Sequence, residues 1–174
     1  MRVELASLEG KAGKFAHDYE PGELVLDDER VDVAAPPRVA GRIIRTGRQV
    51  VVDGQIAAGA RLECDRCLKP MTLPVNAEFT VEYVTAEVYQ EGDVAELAEE
   101  DLALSVFDGE VIDIDEIVRE QFLLAIPAQA LCRENCKGLC QVCGADKNLI
   151  DCECKASEID PRWMGLKEIV NRKS

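Results

Sequence analysis

Eight cysteines in a chain of 174 residues, six of them inside CRENCKGLCQVCGADKNLIDCEC (residues 132–154), restrict what can be built here more than any other feature. The spacing is Cys132-x3-Cys136-x3-Cys140-x2-Cys143-x8-Cys152-x-Cys154, and a further pair, Cys64-x2-Cys67, lies far upstream. The dense segment has few apolar residues, so burial alone cannot fold it. A bound metal could supply the missing free energy, on the order of 10 kcal/mol for structural zinc. The N-terminus, MRVELASLEGKAGKF, lacks the apolar core of a signal peptide, and no run of 18 apolar residues occurs. A cytoplasmic protein without a membrane span is therefore expected. In that compartment clustered thiols point to metal or redox chemistry and away from disulfides.

Cys140-Gln-Val-Cys143-Gly144 is the most specific piece. A glycine after the second cysteine lets the backbone turn back, so that amide N–H groups face the sulfurs. Gly138, Asp146 and Asn148 read as turn residues around it. Cys64-x-x-Cys67 sits between two strand-like arms. The redox use of CxxC wants a strand-to-helix setting, so metal is favoured over redox there as well. One division of the eight thiols joins Cys64, Cys67, Cys132 and Cys136 in one site, tying a hairpin tip to the chain that leaves the helix. Cys140, Cys143, Cys152 and Cys154 form the other. A single site with spare cysteines is the alternative, so one or two zinc ions are expected. Four-thiolate coordination suits structural zinc and leaves no position for a catalytic water. An iron–sulfur cluster also uses four cysteines, but no recognised cluster spacing is present.

The remaining chain predicts an α+β fold: an antiparallel sheet with a long β-hairpin and one covering helix, followed by the cysteine-rich zinc module. In QVVVDGQIAAGARLEC the even positions Val50, Val52, Ile56, Ala58, Ala60, Leu62 and Cys64 are apolar. In MTLPVNAEFTVEYV the odd positions Met71, Leu73, Val75, Ala77, Phe79, Val81 and Tyr83 are apolar. That is period two, two half-buried strands flanking a turn at DRCLKP. Residues 2–6, 23–26 and 38–46 are read as shorter strands, the last separated from what precedes it by Pro36-Pro37. VIDIDEIVREQFLLAIP predicts a helix with Asp113 as N-cap, Ile114, Ile117, Val118, Phe122 and Ala125 on one face, and Pro127 as its end. DPRWMGLKEIVNR predicts a short helix opened by Pro161. Residues 1–127 thus form the core, with an acidic loop at about 86–110, and residues 128–174 the metal-binding module with its terminal helix.

Net charge is −14, and nearly all of it lies in residues 81–130, which carry one basic and 14 acidic side chains. A solvated loop is the plain reading of the carboxylates at 86–110; a docking site for a basic partner is the sharper one. Between residues 33 and 52 no acidic residue interrupts Arg38, Arg42, Arg45 and Arg48, a modest basic patch that can contact nucleic acid or simply solvate a sheet. A chain this acidic is a poor unspecific RNA binder, because it releases few phosphate counterions. The single histidine, His17, lies in a polar stretch and reads as a surface residue. HExxH, GxSxG, P-loop and GxGxxG patterns are absent, so no catalytic residue, small-molecule substrate or enzymatic activity is expected.

LECDRCLKP, IPAQALCRENCKGLCQVCG and DPRWMGL, in that order and spread over most of residues 40–170, resemble the YceD family. Its members are described as large ribosomal RNA subunit accumulation proteins, and much of the family is a domain of unknown function. The resemblance implies a bacterial or plastid factor that supports accumulation of large-subunit (23S) ribosomal RNA. Its partner would be ribosomal RNA or a basic ribosomal or assembly protein. Some relatives keep the hairpin CxRC without the dense later cysteines, which makes the second metal site an optional stabiliser. Here the knuckle is followed by ADKNLIDCEC, where the family pattern has a second asparagine after the leucine. A zinc-stabilised or thiol redox-sensing interaction protein without a ribosomal role is the alternative function.

Overall fold

The computed structural model describes residues 1–7, 12–46, 49–86, 104–107 and 110–154. In chain order the elements are β1 (Arg2–Glu4), a 3-10 turn (Leu5–Ser7), β2 (Ala12–Asp18), β3 (Asp32–Thr46), β4 (Gln49–Glu63), β5 (Pro70–Thr85), β6 (Leu104–Phe107), β7 (Val111–Asp113) and α1 (Ile114–Leu124). They belong to an α+β chain with two compact units. Residues 1–62 and 70–128 make the first, and residues 63–69 with the chain from 129 onward make the second.

The first unit holds a five-stranded sheet in the order β2-β3-β4-β5-β6, and a small sheet of β1 and β7. β2 pairs antiparallel with β3, and β3 with β4. β4 and β5 are neighbours joined only by residues 64–69. That is too short for a parallel crossover, so they form the long hairpin. The period-two pattern explains the faces: Val50, Val52, Ile56, Ala60 and Leu62 of β4 are buried, as are Val75 and Phe79 of β5. Over residues 81–85, beside β6, no residue of β5 is fully exposed, because the strand there has a partner on each side.

The helix forms where its signals predict. Asp113 caps it, accepting from the N–H groups of Asp115 and Glu116, and both of these acids sit in the first turn, where the helix dipole favours them. Ile114, Ile117 and Val118 join Val39, Ile43, Val50, Val52, Ile56 and Phe79 in one apolar core, and Phe122 is also fully buried. Burial of such side chains, about 1.5–3 kcal/mol each, is what holds this unit together. Tyr19 adds a polar tie, its hydroxyl donating to Asp115 Oδ1 at 2.6 Å.

Four local readings change. Residues 23–26 are not a strand; they lie in a turn and irregular chain that drops Leu24 into the core, and an alternating pattern only four residues long cannot tell the two apart. Pro36-Pro37 does not separate β3 from its predecessor but lies inside it, where the pairing with β4 shifts register between Val33 and Ala35 and between Ala35 and Arg38. Proline lacks the N–H a regular ladder needs, so it sits at such irregularities. The end of the acidic stretch, Leu104–Phe107, is a strand parallel to β5. Finally, Ala12–Asp18, not among the expected strands, is β2; His17 on it stays at the surface, with its ring 2.7 Å from Glu23 Oε1. The helix expected from Pro161, the residues 87–103 and Arg48 lie outside the described residues.

Candidate metal centre

The second unit is built around two turns of one design. In the first, Cys64-Asp65-Arg66-Cys67-Leu68-Lys69, the Leu68 N–H donates to the Cys64 carbonyl and the Cys64 N–H to the Lys69 carbonyl, both at 2.9 Å. In the second, Cys140-Gln141-Val142-Cys143-Gly144-Ala145, the Gly144 N–H donates to the Cys140 carbonyl at 2.9 Å and the Cys140 N–H to the Ala145 carbonyl at 2.8 Å. The residue after the second cysteine is left-handed in both, with φ of 57° at Leu68 and 73° at Gly144. Two thiols three positions apart, on a backbone folded back on itself, project to the same side.

The chain from 129 onward supplies the other thiols. Asp65 N–H donates to the Ala130 carbonyl at 2.9 Å, and Leu139 N–H to the Arg66 carbonyl at 3.0 Å, so the first knuckle is strapped between residues 130 and 139. Arg66 Nη1 also donates to the Cys136 carbonyl at 2.9 Å. Gly138 is needed for this approach: a Cβ there would lie 2.8 Å from the Arg66 carbonyl oxygen.

The result is two quartets, Cys64 with Cys67, Cys132 and Cys136, and Cys140 with Cys143, Cys152 and Cys154, each with its sulfurs within 4.8 Å of one another. Cys64 and Cys136 sulfurs are 3.9 Å apart, and those of Cys67 and Cys132 3.7 Å. A disulfide requires about 2.05 Å. Four sulfurs at about 2.3 Å from a central ion lie about 3.8 Å from each other in a tetrahedron, and the observed separations match that edge. The donor set of the first quartet therefore fits a single tetrahedral ion, and the second gathers the same four-thiolate set within 4.8 Å. A cluster of several irons needs its thiolates further apart.

Electrostatics point the same way. Burial opposes ionisation of Cys64, but backbone N–H groups of Cys132, Arg66 and Cys67 outweigh it and bring this thiol down to about 6. The N–H groups of Cys143 and Val142 bring Cys140 down to about 6 as well. Cys132, exposed along one side, is pushed up to about 12 by the water its sulfur loses among its neighbours and by Cys67, Cys136 and Cys64 themselves. Cys154 is pushed up to about 12, chiefly by the neighbouring Cys143. In the first quartet Cys136 is lowered too, burial being outweighed by the Gly138 N–H, Asn148 and neighbouring thiols, so thiolates form readily at part of each quartet and their negative charge then resists the rest. A cation at the centre removes that resistance.

Three polar side chains that support the site carry no sequence signature beyond turn propensity or surface charge. Asn148 Nδ2 lies 3.5 Å from Cys136 Sγ and 2.7 Å from Asp146 Oδ1. Lys69 Nζ reaches Asp146 Oδ2 at 2.6 Å, and with the Asn148 N–H it holds that carboxyl down to about 2. The arginines belong to the other unit. Arg38 and Arg42 occupy exposed positions of β3, as does Arg45 near its end. Arg42 Nε donates to both carboxylate oxygens of Asp53, its direct partner on β4, at 2.9 and 2.8 Å, so its charge is compensated.

Residues 52–170 match the family described as large ribosomal RNA subunit accumulation protein YceD, a span that contains all eight cysteines. The chain belongs to the YceD family. An uncharacterized protein of Mycobacterium tuberculosis is 30% identical over the whole of this chain and 83% of its own length. The uncharacterized protein YlbN of Bacillus subtilis is 28% identical over 97% of this chain and 94% of its own. A maize protein named large ribosomal RNA subunit accumulation protein YCED homolog 1, chloroplastic, is 28% identical over 77% of this chain and 54% of its own. No solved structure matches. Among the described residues of this YceD chain, no helix is long and apolar enough to cross a membrane.

Proposed function

We propose that this YceD-family chain is a non-catalytic ribosome-biogenesis factor of the cytoplasm that supports accumulation of large-subunit (23S) ribosomal RNA, with structural zinc in both cysteine quartets. The observation that carries the ribosomal reading is the family match over residues 52–170, together with plant relatives named for this role. The zinc reading rests on eight thiols gathered into two groups of four, with two sulfur–sulfur separations in the first close to a tetrahedral edge. An ion held by four thiolates has no open position for water or substrate, so its work is to fold the cysteine-rich segment, residues 132–154.

A basic ribosomal or assembly protein is the favoured partner. The acidity concentrated in residues 81–130 complements such a surface, and Arg42, central to the arginine patch, is already paired with Asp53. The test is elemental analysis of the purified chain, combined with depletion of the protein in its source organism. Two zinc equivalents per chain, and a fall in mature large-subunit relative to small-subunit ribosomal RNA, are the expected results. Cys140→Ser should lose metal and loosen residues 132–154 while the sheet unit stays folded, because the apolar core of that unit contains no cysteine. An unchanged ribosomal RNA ratio on depletion overturns the ribosomal role; a chain that takes up no metal overturns the zinc role.

A further inference from the structure

We propose that the two quartets bind metal cooperatively and that Asn148 is the link: the hairpin started by Cys140 and Cys143 carries the amide that steadies the Cys136 sulfur of the other quartet. This deepens, and rests on, the reading of both quartets as metal sites.

The orientation of the Asn148 side chain is fixed by its surroundings. Its Oδ1 accepts from the Lys137 N–H at 2.9 Å and from Arg133 Nη2 at 2.5 Å. Its Nδ2 therefore faces Cys136 Sγ and Asp146 Oδ1. Two donors on one side and two acceptors on the other leave a single assignment for the amide. A metal-bound thiolate accepts hydrogen bonds, and such outer partners orient the ligand and tune its affinity.

Asn148 sits in the loop that the second quartet closes. The Lys147 N–H donates to the Gly138 carbonyl at 2.9 Å, and Leu139 bridges to Asp146, so residues 138–147 form a short hairpin with the Cys140 knuckle at its tip. Asn148 follows directly. Its N–H donates to Asp146 Oδ1 at 2.8 Å, and Asp146 is in turn clamped by Lys69 beside the first knuckle. Drawing Cys152 and Cys154 onto Cys140 and Cys143 closes the loop that contains Asn148. The ordering cost of that loop is then met before the amide engages Cys136. Metal in the first quartet fixes the sulfur that Asn148 holds, which orders the same loop for the second. The coupling is reciprocal, as linkage requires.

The experiment titrates the full-length chain with cobalt(II), whose absorption reports tetrahedral thiolate coordination, then displaces it with zinc and a competing chelator. Cys143→Ser/Cys154→Ser leaves the first quartet to be read alone, and Cys67→Ser/Cys132→Ser leaves the second. Asn148→Asp keeps an acceptor for Lys137 and Arg133 but places a carboxylate against Cys136. First-quartet affinity is expected to fall about 10- to 100-fold in Asn148→Asp. A fall of about 5- to 150-fold is expected in Cys143→Ser/Cys154→Ser, with no comparable further loss when the two changes are combined. Cys67→Ser/Cys132→Ser should weaken the second quartet by the same factor. First-quartet affinity unchanged by either alteration overturns the coupling while leaving two metal sites standing. A wild-type chain that binds fewer than two equivalents removes the reading of both quartets as metal sites, and the coupling with it.

Discussion

The two cysteine knuckles have the same hydrogen bonds and different sequences. At the left-handed position the first carries Leu68 and the second Gly144. A left-handed conformation costs a non-glycine residue about 1–2 kcal/mol, so the two turns reach one geometry by different routes. The first knuckle lies directly between two long strands, β4 and β5, whose pairing forces the chain to reverse there. Such a surrounding can hold a strained residue in place. The second lies in a polar stretch whose hairpin is secured by a single bridge and a few backbone bonds, and it uses the residue that turns without strain. Exposure differs too. Three of the four thiols in the first quartet are buried, whereas Cys143 and Cys154 of the second are exposed and Cys152 is half-buried. The thiolate chemistry is shared, and the scaffold around it decides how firmly each site is held.

That contrast is most directly broken by a chelator. Metal should leave the second quartet first, at least tenfold faster than the first, because attack on the ion requires access to it. Stepwise release with a colorimetric chelator, in wild type and in Cys143→Ser/Cys154→Ser, assigns each phase; release of the buried quartet first would reverse the ranking. Acid should next show what the knuckles have in common. Bound metal needs deprotonated thiolates, so protons compete and apparent affinity falls as pH falls, about tenfold per unit for each proton taken up. Cys64 and Cys140, both near 6, are already thiolates at pH 7 in the metal-free sites. Below pH 6 they bind protons as well, and the dependence should steepen for both quartets alike. Cobalt titrations between pH 5 and 8 measure this, and a steepening in only one quartet would show that the shared N–H pattern does not set the thiol acidity. The smallest effect concerns the left-handed position. Gly144→Leu should destabilise the second unit by about 1–2 kcal/mol. Leu68→Gly should change it by less than about 1 kcal/mol, the relief of strain being offset by the added freedom of the unfolded chain. Denaturant unfolding of the metal-loaded forms compares them; equal effects would mean that β4 and β5 do not restrain the first turn.

Legibility in the sequence followed the range of the physics involved. The hairpin arms and the capped helix are encoded locally, by alternation at Val50, Val52 and Ile56 and by Asp113 ahead of an amphipathic run, and they fold where those signals lie. The 23–26 segment misleads because Leu24 is buried from a loop, and burial leaves the same mark on a short sequence whether or not a ladder forms. The prolines at 36 and 37 mislead in the other direction, since an irregular pairing tolerates them inside a strand.

The sequence by itself determined the element types of the hairpin and helix, the candidate ligands, and the scarcity of apolar residues in 132–154. Repeat period, capping chemistry and thiol spacing are properties of neighbouring residues. Only the tertiary structure decided which thiols face each other, joining Cys67 to Cys132 across 65 positions, and gave Asn148 a sulfur to hold. Those contacts depend on where distant turns meet, and a hydrogen bond between turns leaves no periodic trace in the chain that makes it.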